Sequence, residues 1–476
     1  MRNICDVIIP DKKYYIYGTA LFAQYCYAKI TQNFGDDSIL GFIETVPQKD
    51  KFCEKNVISV NEADNTAGVI ISGFKSVEAM KNNLIKSGFC KETIYEFPEY
   101  KNYFILNNNR IMQACYWPPI KKYNKDLVDK ISWFLPDRIA VKVWTDDIET
   151  IDSFNENVEV CNIEDIDKIM KKSDCICIWD TENAGDIPLK YADKVKIVDP
   201  NFFHAIDVYN YGLIYYSSFA EKEKEIIHNH SINVFKQLKK KSEKCEKANI
   251  ICSGPSIEEL DFKQCCNDFN IICNSMIKDR QMLEELKPDL IVFSDTALFF
   301  SPNEYCRRFY NDLIYACRHY NIYIVTLSYR VPLLKKHFPE LSEYLIGVRG
   351  AEKGEYKYFD ENALYIKGSD NVCTAFMLPI ASALFDVIQI SGCTGRAPND
   401  VYFWKYKGNF QYEDLMPSVF ESYPSFKRDI NHDDYYDVHC ACMKDIIEYG
   451  EKLGKEYINL TTSFIPALKE RTKKDV

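Results

Sequence analysis

Short apolar runs, each followed by a stretch with helical spacing, recur along this chain, and that alternation restricts its fold more than any other feature. Strands separated by helices cannot pair as hairpins. They line up as parallel sheets with helices on their faces, so the expected class is α/β. The first such unit starts with the run Lys13 to Tyr17, turns at Gly18-Thr19, and continues into Ala20 to Ile30, where Leu21, Phe22, Tyr25 and Ala28 share one side. Further strands are expected at Ser38 to Ile43 and Gly68 to Ser72, with a helix over Ser76 to Ser87. Gly18-Thr19 has the look of a degenerate dinucleotide-binding loop, but the second and third glycines that let a pyrophosphate approach are missing. It reads as the turn of a structural Rossmann-like module.

A second set of runs, Arg138 to Trp144, Val158 to Cys161, Asp174 to Trp179 and Lys194 to Val198, repeats the pattern, with a helical stretch at Ile163 to Lys172. Between the two sets, Asn108 to Asp129 carries Trp117-Pro118-Pro119 and many polar residues and reads as a connection. Ser218 to Lys247 is one long charged stretch, with Glu221 to Glu225 and the triplet Lys239, Lys240 and Lys241; such runs usually form a solvated face. At Asn249 the composition turns apolar again. The expected domains are therefore a Rossmann-like module at 1–120, a second small α/β module at 121–217, a charged helical linker at 218–247, and a doubly wound parallel-sheet domain at 248–476.

Length and charge narrow the function. At 476 residues the chain can bury several cores. Its 59 basic against 70 acidic residues give a net charge of −11, which opposes nucleic-acid binding because phosphate contacts need a basic face. The nineteen cysteines are scattered through apolar runs; Cys175-Ile-Cys177, Cys265-Cys266 and Cys440-Ala-Cys442 lack zinc-ribbon spacing, so the expectation is free thiols and no metal. The N-terminus has no basic region followed by a long apolar run, and no stretch reaches the length of a membrane span. A cytoplasmic protein is expected, with peripheral contact to the inner face of a membrane, through the basic tail near Lys469 to Lys474, and homo-oligomerisation left open.

The segment richest in chemistry begins at Asn249. An apolar strand runs into Ser253-Gly254-Pro255-Ser256, where Gly permits a tight turn and Pro fixes the exit toward a helix that Ser256 could cap. The N–H groups at such a helix start suit an anion such as a nucleotide phosphate. A second strand, Phe269 to Asn274, ends in Asn274-Ser275, and a third, Asp289 to Asp295, ends in Ser294-Asp295-Thr296. Carboxyl ends of adjacent parallel strands line one crevice, so Ser253, Asn274 and Asp295 are expected to converge.

The run from Cys252 to Asp279, followed by Lys287 to Asp295, resembles the nucleotide-binding half of the bacterial family-42 sialyltransferases. It is also similar to the flagellin-modifying motility accessory factors. The resemblance continues through Lys367 to Met377, a helix to Leu384, and the strand Val387 to Ser391 with Gly392, and spans roughly Asn249 to Ala467. It implies a GT-A-like sialyltransferase variant and an inverting, metal-independent glycosyltransferase. The substrate implied is a nonulosonic acid of sialic, legionaminic or pseudaminic type carried on CMP, passed to a hydroxyl of a cell-surface glycan or glycoprotein. The CMP-activated sugar is the donor substrate and no cofactor is implied. Ser253, Gly254, Pro255, Ser256, Asn274, Ser275 and Asp295 would hold the nucleotide, and Ser369, Asn371, Thr374 and Gly392 would add donors for phosphate or sugar carboxylate. A lid over 393–438 would close on the donor, with Tyr402 and Tyr406 stabilising the departing phosphate and Arg396, Lys405 and Lys407 nearby. The chain departs from the pattern at Ser253, where the family has Asn, at Asp295, which fits the accessory factors better, and at Cys393-Thr394, where the family has Asp in the second position. The end Thr461 to Pro466 is similar to the family's Pro-x-Ser-type ending before a last helix.

The family's general base is a histidine at the start of the helix before the last strand. His432 and His439 flank Asp433-Asp434-Tyr435-Tyr436-Asp437; counting back from Glu448 favours His439, with His432 as the alternative. An imidazole of pKa about 6.5 is mostly neutral near neutral pH and can accept a hydroxyl proton. Two other readings stand beside this one: a metal-dependent pyrophosphokinase or nucleotidyl enzyme using Asp433, Asp434 and Asp437, and a non-catalytic scaffold in surface polysaccharide assembly.

Overall fold

Nearly all the apolar runs become strands, and the strands pair almost entirely in parallel. The computed structural model describes residues 8–19, 21–72, 77–96, 113–135, 140–180, 183, 191, 194–199, 206–351, 359–367, 371–396, 408–424 and 432–473. They fall into two units, Met1–Tyr123 with Asp137–Asp199, and Asn124–Pro136 with Pro200–Val476.

The first unit holds two sheets. One is formed by β1 (Tyr14–Tyr17), β2 (Ile39–Glu44), β3 (Lys51–Phe52), β4 (Lys55–Ser59), β5 (Gly68–Ile71) and β6 (Ile94–Glu96) in the order β3-β4-β2-β1-β5-β6. Only the β3–β4 pair is antiparallel. The other is formed by β7 (Gln113–Trp117), β8 (Ala140–Trp144), β9 (Val158–Cys161), β10 (Cys175–Ile178) and β11 (Val195–Ile197) in the order β11-β10-β7-β8-β9, all parallel. In each sheet the chain builds outward to one side of its first strand and then to the other, the Rossmann-like arrangement expected from the sequence. β7 corrects one expectation. Gln113–Trp117, read as part of a connection, is the central strand of its sheet, with Ala114, Cys115 and Tyr116 buried.

The second unit is built on one eight-stranded parallel sheet: β12 (Ala248–Ile251), β13 (Phe269–Cys273), β14 (Leu290–Val292), β15 (Tyr323–Leu327), β16 (Leu345–Ala351), β17 (Tyr365–Lys367), β18 (Val387–Ser391) and β19 (Glu456–Asn459). Its order is β17-β16-β15-β14-β13-β12-β18-β19. From β12 the chain adds five strands on one side, then returns to add β18 and β19 on the other. Parallel crossovers are right-handed, so this reversal puts helices on both faces, and the sheet is doubly wound. Every residue of β12, β13 and β14 is buried, as a strand covered on both faces requires.

Polar groups fix the amino ends of these strands. Asn270, fully buried, donates from Nδ2 to the carbonyls of Cys265, Asp268 and Leu286 at 2.9, 3.1 and 3.0 Å, and accepts from Asn249 at 2.8 Å. Its backbone N–H donates to Asp289 at 2.8 Å. The charged run is a helix, Glu221–Ser242, that lies wholly within the second unit and buries Val234, Phe235 and Leu238; Phe235 packs on Phe359 with ring centres 5.1 Å apart. Its lysines remain on the outer side, where Lys241 pairs with Asp289 at 2.8 Å. Among the described residues no helix is long and apolar enough to cross a membrane.

Candidate functional site

The strand order reverses between β12 and β18, and there the two strand exits cross at van der Waals distance. Gly254 follows β12 and Gly392 follows β18. The Gly254 N–H donates to the Gly392 carbonyl at 2.9 Å, and Cys252 N–H donates to Ser391 at 2.9 Å. A β-carbon on Gly254 would meet the Gly392 carbonyl oxygen at 2.5 Å and the Thr394 hydroxyl at 2.6 Å. Its own φ of −70° is ordinary, so Gly254 is needed for the close approach of the two strand exits and not for a left-handed conformation.

Outside these ends lies a cleft enclosing about 520 Å³ of empty space, the open mouth included. Six of the residues named from sequence line it: Ser253 and Gly254 after β12, Asn274 after β13, Asn371, Gly392 after β18, and His439. This is the crevice in which doubly wound proteins bind ligands. Asn274 is buried in a left-handed conformation, φ +51°, and among the described residues its Oδ1 has no hydrogen-bond partner. His439 is 5% exposed and its Nδ1 has no partner among the described residues either. Buried polar atoms are rarely left unpaired, so two of them beside one cleft mark a place built to receive polar groups.

His439 comes from the helix His432–Lys452. The helix starts earlier than expected, so His439 sits about two turns inside it, while His432 stands at its start. Asp437, offered for the metal-dependent alternative, is exposed and is not among the cleft's described lining residues.

The other named residues do different work. Pro255 opens a 3₁₀ turn, Pro255–Glu259, too short for a helix dipole of any size. The Ser256 N–H, expected to face a phosphate, donates to the Thr394 hydroxyl at 3.0 Å, and the Ser256 hydroxyl pairs with Thr394 at 2.8 Å. Thr394, where the resemblance places Asp, thus ties the β18 exit to the β12 turn. The Ser275 hydroxyl donates to the Phe410 carbonyl, fastening the segment after residue 407 to the end of β13. Asp295 caps the short helix Thr296–Phe299, accepting from Ala297 and Leu298 N–H at 3.0 Å each. Thr374 is buried in a π-helical turn, Cys373–Met377, whose start is capped by Asn371 Oδ1 accepting from Cys373 N–H at 2.9 Å. Pro255, Ser256, Ser275, Asp295 and Thr374 are not among the cleft's described lining residues. Ser369, Tyr402, Tyr406, Lys405 and Lys407 lie outside the described residues. Arg396 places its guanidinium 5.3 Å from the centre of the Tyr436 ring.

Sequence reasoning passed over the sulfur in the cleft. Cys252, Cys273, Cys373 and Cys393 all line it, and all are buried. Hydrogen bonds from the Cys252 and Cys373 thiols, and then the nearby His439, hold the Cys393 thiol well below the usual range against the opposing effect of burial. Cys252, hydrogen-bonded to Cys273, Cys373 and Cys393 and buried, is pushed up. Each cysteine sits in an apolar run and reads as a small hydrophobe on its own. Their convergence is a property of the sheet.

No protein-family model matches the chain, and no curated protein matches it. Among solved structures, the sialyltransferase CstII from Campylobacter jejuni in complex with a substrate analogue, CMP-3FNeuAc, is similar at 14% identity and a TM-score of 0.26, over 47% of this chain and 87% of that one. A tyrosine-to-phenylalanine variant of the sialyltransferase Cst-II in complex with CMP is similar at 15% identity and a TM-score of 0.28, with the same coverage. Likeness this weak carries no argument about function.

Proposed function

We propose that the chain is an inverting glycosyltransferase that moves a nonulosonic acid from its CMP donor to a hydroxyl of a cell-surface glycan or glycoprotein. One observation carries the reading: a buried imidazole, His439, lines the same cleft as the carboxyl ends of β12, β13 and β18, at the reversal of strand order. The motifs that resemble the CMP-sugar transferases supply three of those strand ends.

In this reading Ser253 and Asn274 hold the nucleotide, with Asn274 Oδ1 accepting from the donor's base or ribose, while Gly254 and Gly392, whose N–H groups are bonded within the protein, leave the space it lies against. Asn371 lies where the sugar carboxylate or phosphate would reach the π-helical turn. His439 takes the proton from the acceptor hydroxyl as its oxygen bonds to the anomeric carbon, and the bond from that carbon to the phosphate oxygen breaks to release CMP. Tyr402 and Tyr406 are proposed to donate to that phosphate. A general base typically contributes about 10² to 10⁴ in rate.

Calorimetry with CMP, CMP-N-acetylneuraminic acid and CMP-pseudaminic acid tests the donor class. At least one sugar nucleotide should bind, and CMP should be released slowly without acceptor. Failure of all three to bind would remove the reading.

A further inference from the structure

Three thiols reach one point from three separate elements. Cys252 leaves β12, Cys373 begins the π-helical turn, and Cys393 leaves β18. Their sulfur atoms all lie within 4.8 Å of one another, and the residues are 8%, 3% and 7% exposed. Sulfurs bound to one tetrahedral zinc ion at about 2.3 Å each would stand about 3.8 Å apart, so a small inward adjustment of side chains closes the set. The three line the cleft, which gives an ion a route to them. Other buried cysteines, such as Cys306 and Cys317, belong to no such group among the described residues.

An independent observation points to a ligand at the same place. His439 is buried, its side chain meets the Cys393 thiol, and its Nδ1 has no hydrogen-bond partner among the described residues. The three sulfurs already form a group without the histidine, and an imidazole that meets one of them, Cys393, would complete a Cys₃His donor set on binding. Thiolate-rich sets select thiophilic ions over magnesium or calcium, which require oxygen.

We propose that Cys252, Cys373 and Cys393, with His439 as fourth ligand, form a binding site for a thiophilic divalent cation of the zinc class. The ion would join the exits of β12 and β18 to the start of the π-helical turn, holding the floor of the cleft. Coordination through one ring nitrogen withdraws His439 from proton transfer, so a loaded site and a free base exclude each other. The site goes beyond the transfer reading and does not depend on it.

The test uses the full chain, reduced, stripped with chelator and supplied with one equivalent of Zn²⁺. X-ray absorption at the zinc edge should give one ion per chain with three sulfur neighbours at about 2.3 Å and one lighter atom. No stoichiometric uptake, or a shell with fewer than three sulfurs, overturns the proposal. The double variant Cys373→Ser/Cys393→Ser should lose at least about 10²-fold in Zn²⁺ affinity, whereas Cys266→Ser, at an exposed thiol, should lose none. Undiminished affinity in a folded double variant also overturns it, and if that variant does not fold the absorption measurement on the unaltered chain decides. Neither measurement involves a nucleotide, so a negative result here is distinct from failure of the donor test.

Discussion

Gly392 lies so close to Cys252 that a β-carbon on Gly392 would stand 2.1 Å from the Cys252 carbonyl oxygen, and its φ of +67° is one that L side chains rarely adopt. Any larger residue must move backbone at the reversal of the sheet. Gly392→Ala should destabilise the second unit by about 3 kcal/mol or more, read from urea unfolding. It should also weaken nucleotide binding, because the cleft is framed by the same two turns. A loss under about 1 kcal/mol would mean that the turns are not held as tightly as the Gly254–Gly392 hydrogen bond indicates.

The opposite end of the sheet offers a separation of stability from binding. Asn270 serves three carbonyls and a neighbouring amide while fully buried, so Asn270→Ala strands several groups at once. A destabilisation of about 2–4 kcal/mol is expected. The affinity of the remaining folded protein for CMP should match wild type, since Asn270 stands near the amino end of β13 and the cleft at its carboxyl end.

An ion pair between the helix His432–Lys452 and the C-terminal segment gives a pH prediction. Arg471 donates from Nε and Nη2 to the two oxygens of Glu451 at 2.6 and 2.7 Å, and these hydrogen bonds hold the Glu451 carboxyl below the usual glutamate range. A depressed folded pKa means that this stabilisation is present above the unfolded glutamate value, about 4.3, and is lost as pH falls through the folded value. Glu451 is partly exposed, so screening keeps the effect to about 0.5–1 kcal/mol. Glu451→Gln should therefore be less stable than wild type near pH 7 and converge with it in acid. A gap that persists at pH 2 would assign the loss to packing.

How far the sequence discloses this arrangement depends on whether a feature is local. β12, β13 and β18 are apolar runs whose exits carry Ser, Asn or Gly, and their strands fall within a residue or two of expectation. β16 is hidden because Gly347, Arg349 and Gly350 break its apolar pattern, and β7 because prolines follow it directly. At the site, Asn274 can be named because it follows an apolar strand, whereas His439 is named through the family resemblance, by counting back from Glu448. Asp295 looks the same in sequence as a ligand at a strand end, but its carboxylate is turned back onto its own helix start. The thiol group could not be read at all: Cys252, Cys373 and Cys393 are separated by long stretches of chain, and parallel pairing of β12 with β18 brings two of them together.

The role of His439 rests on proton transfer within a donor-bound cleft, and one comparison addresses it. Release of CMP from CMP-N-acetylneuraminic acid and CMP-pseudaminic acid should be followed for wild type and His439→Ala, both chelator-treated so that no cation occupies the imidazole. The expected result is turnover of at least one donor by wild type, a fall of about 10²-fold or more in the variant, and unchanged affinity of both for CMP. Equal rates in the two proteins, with CMP bound by both, would contradict the assignment of His439 as the base.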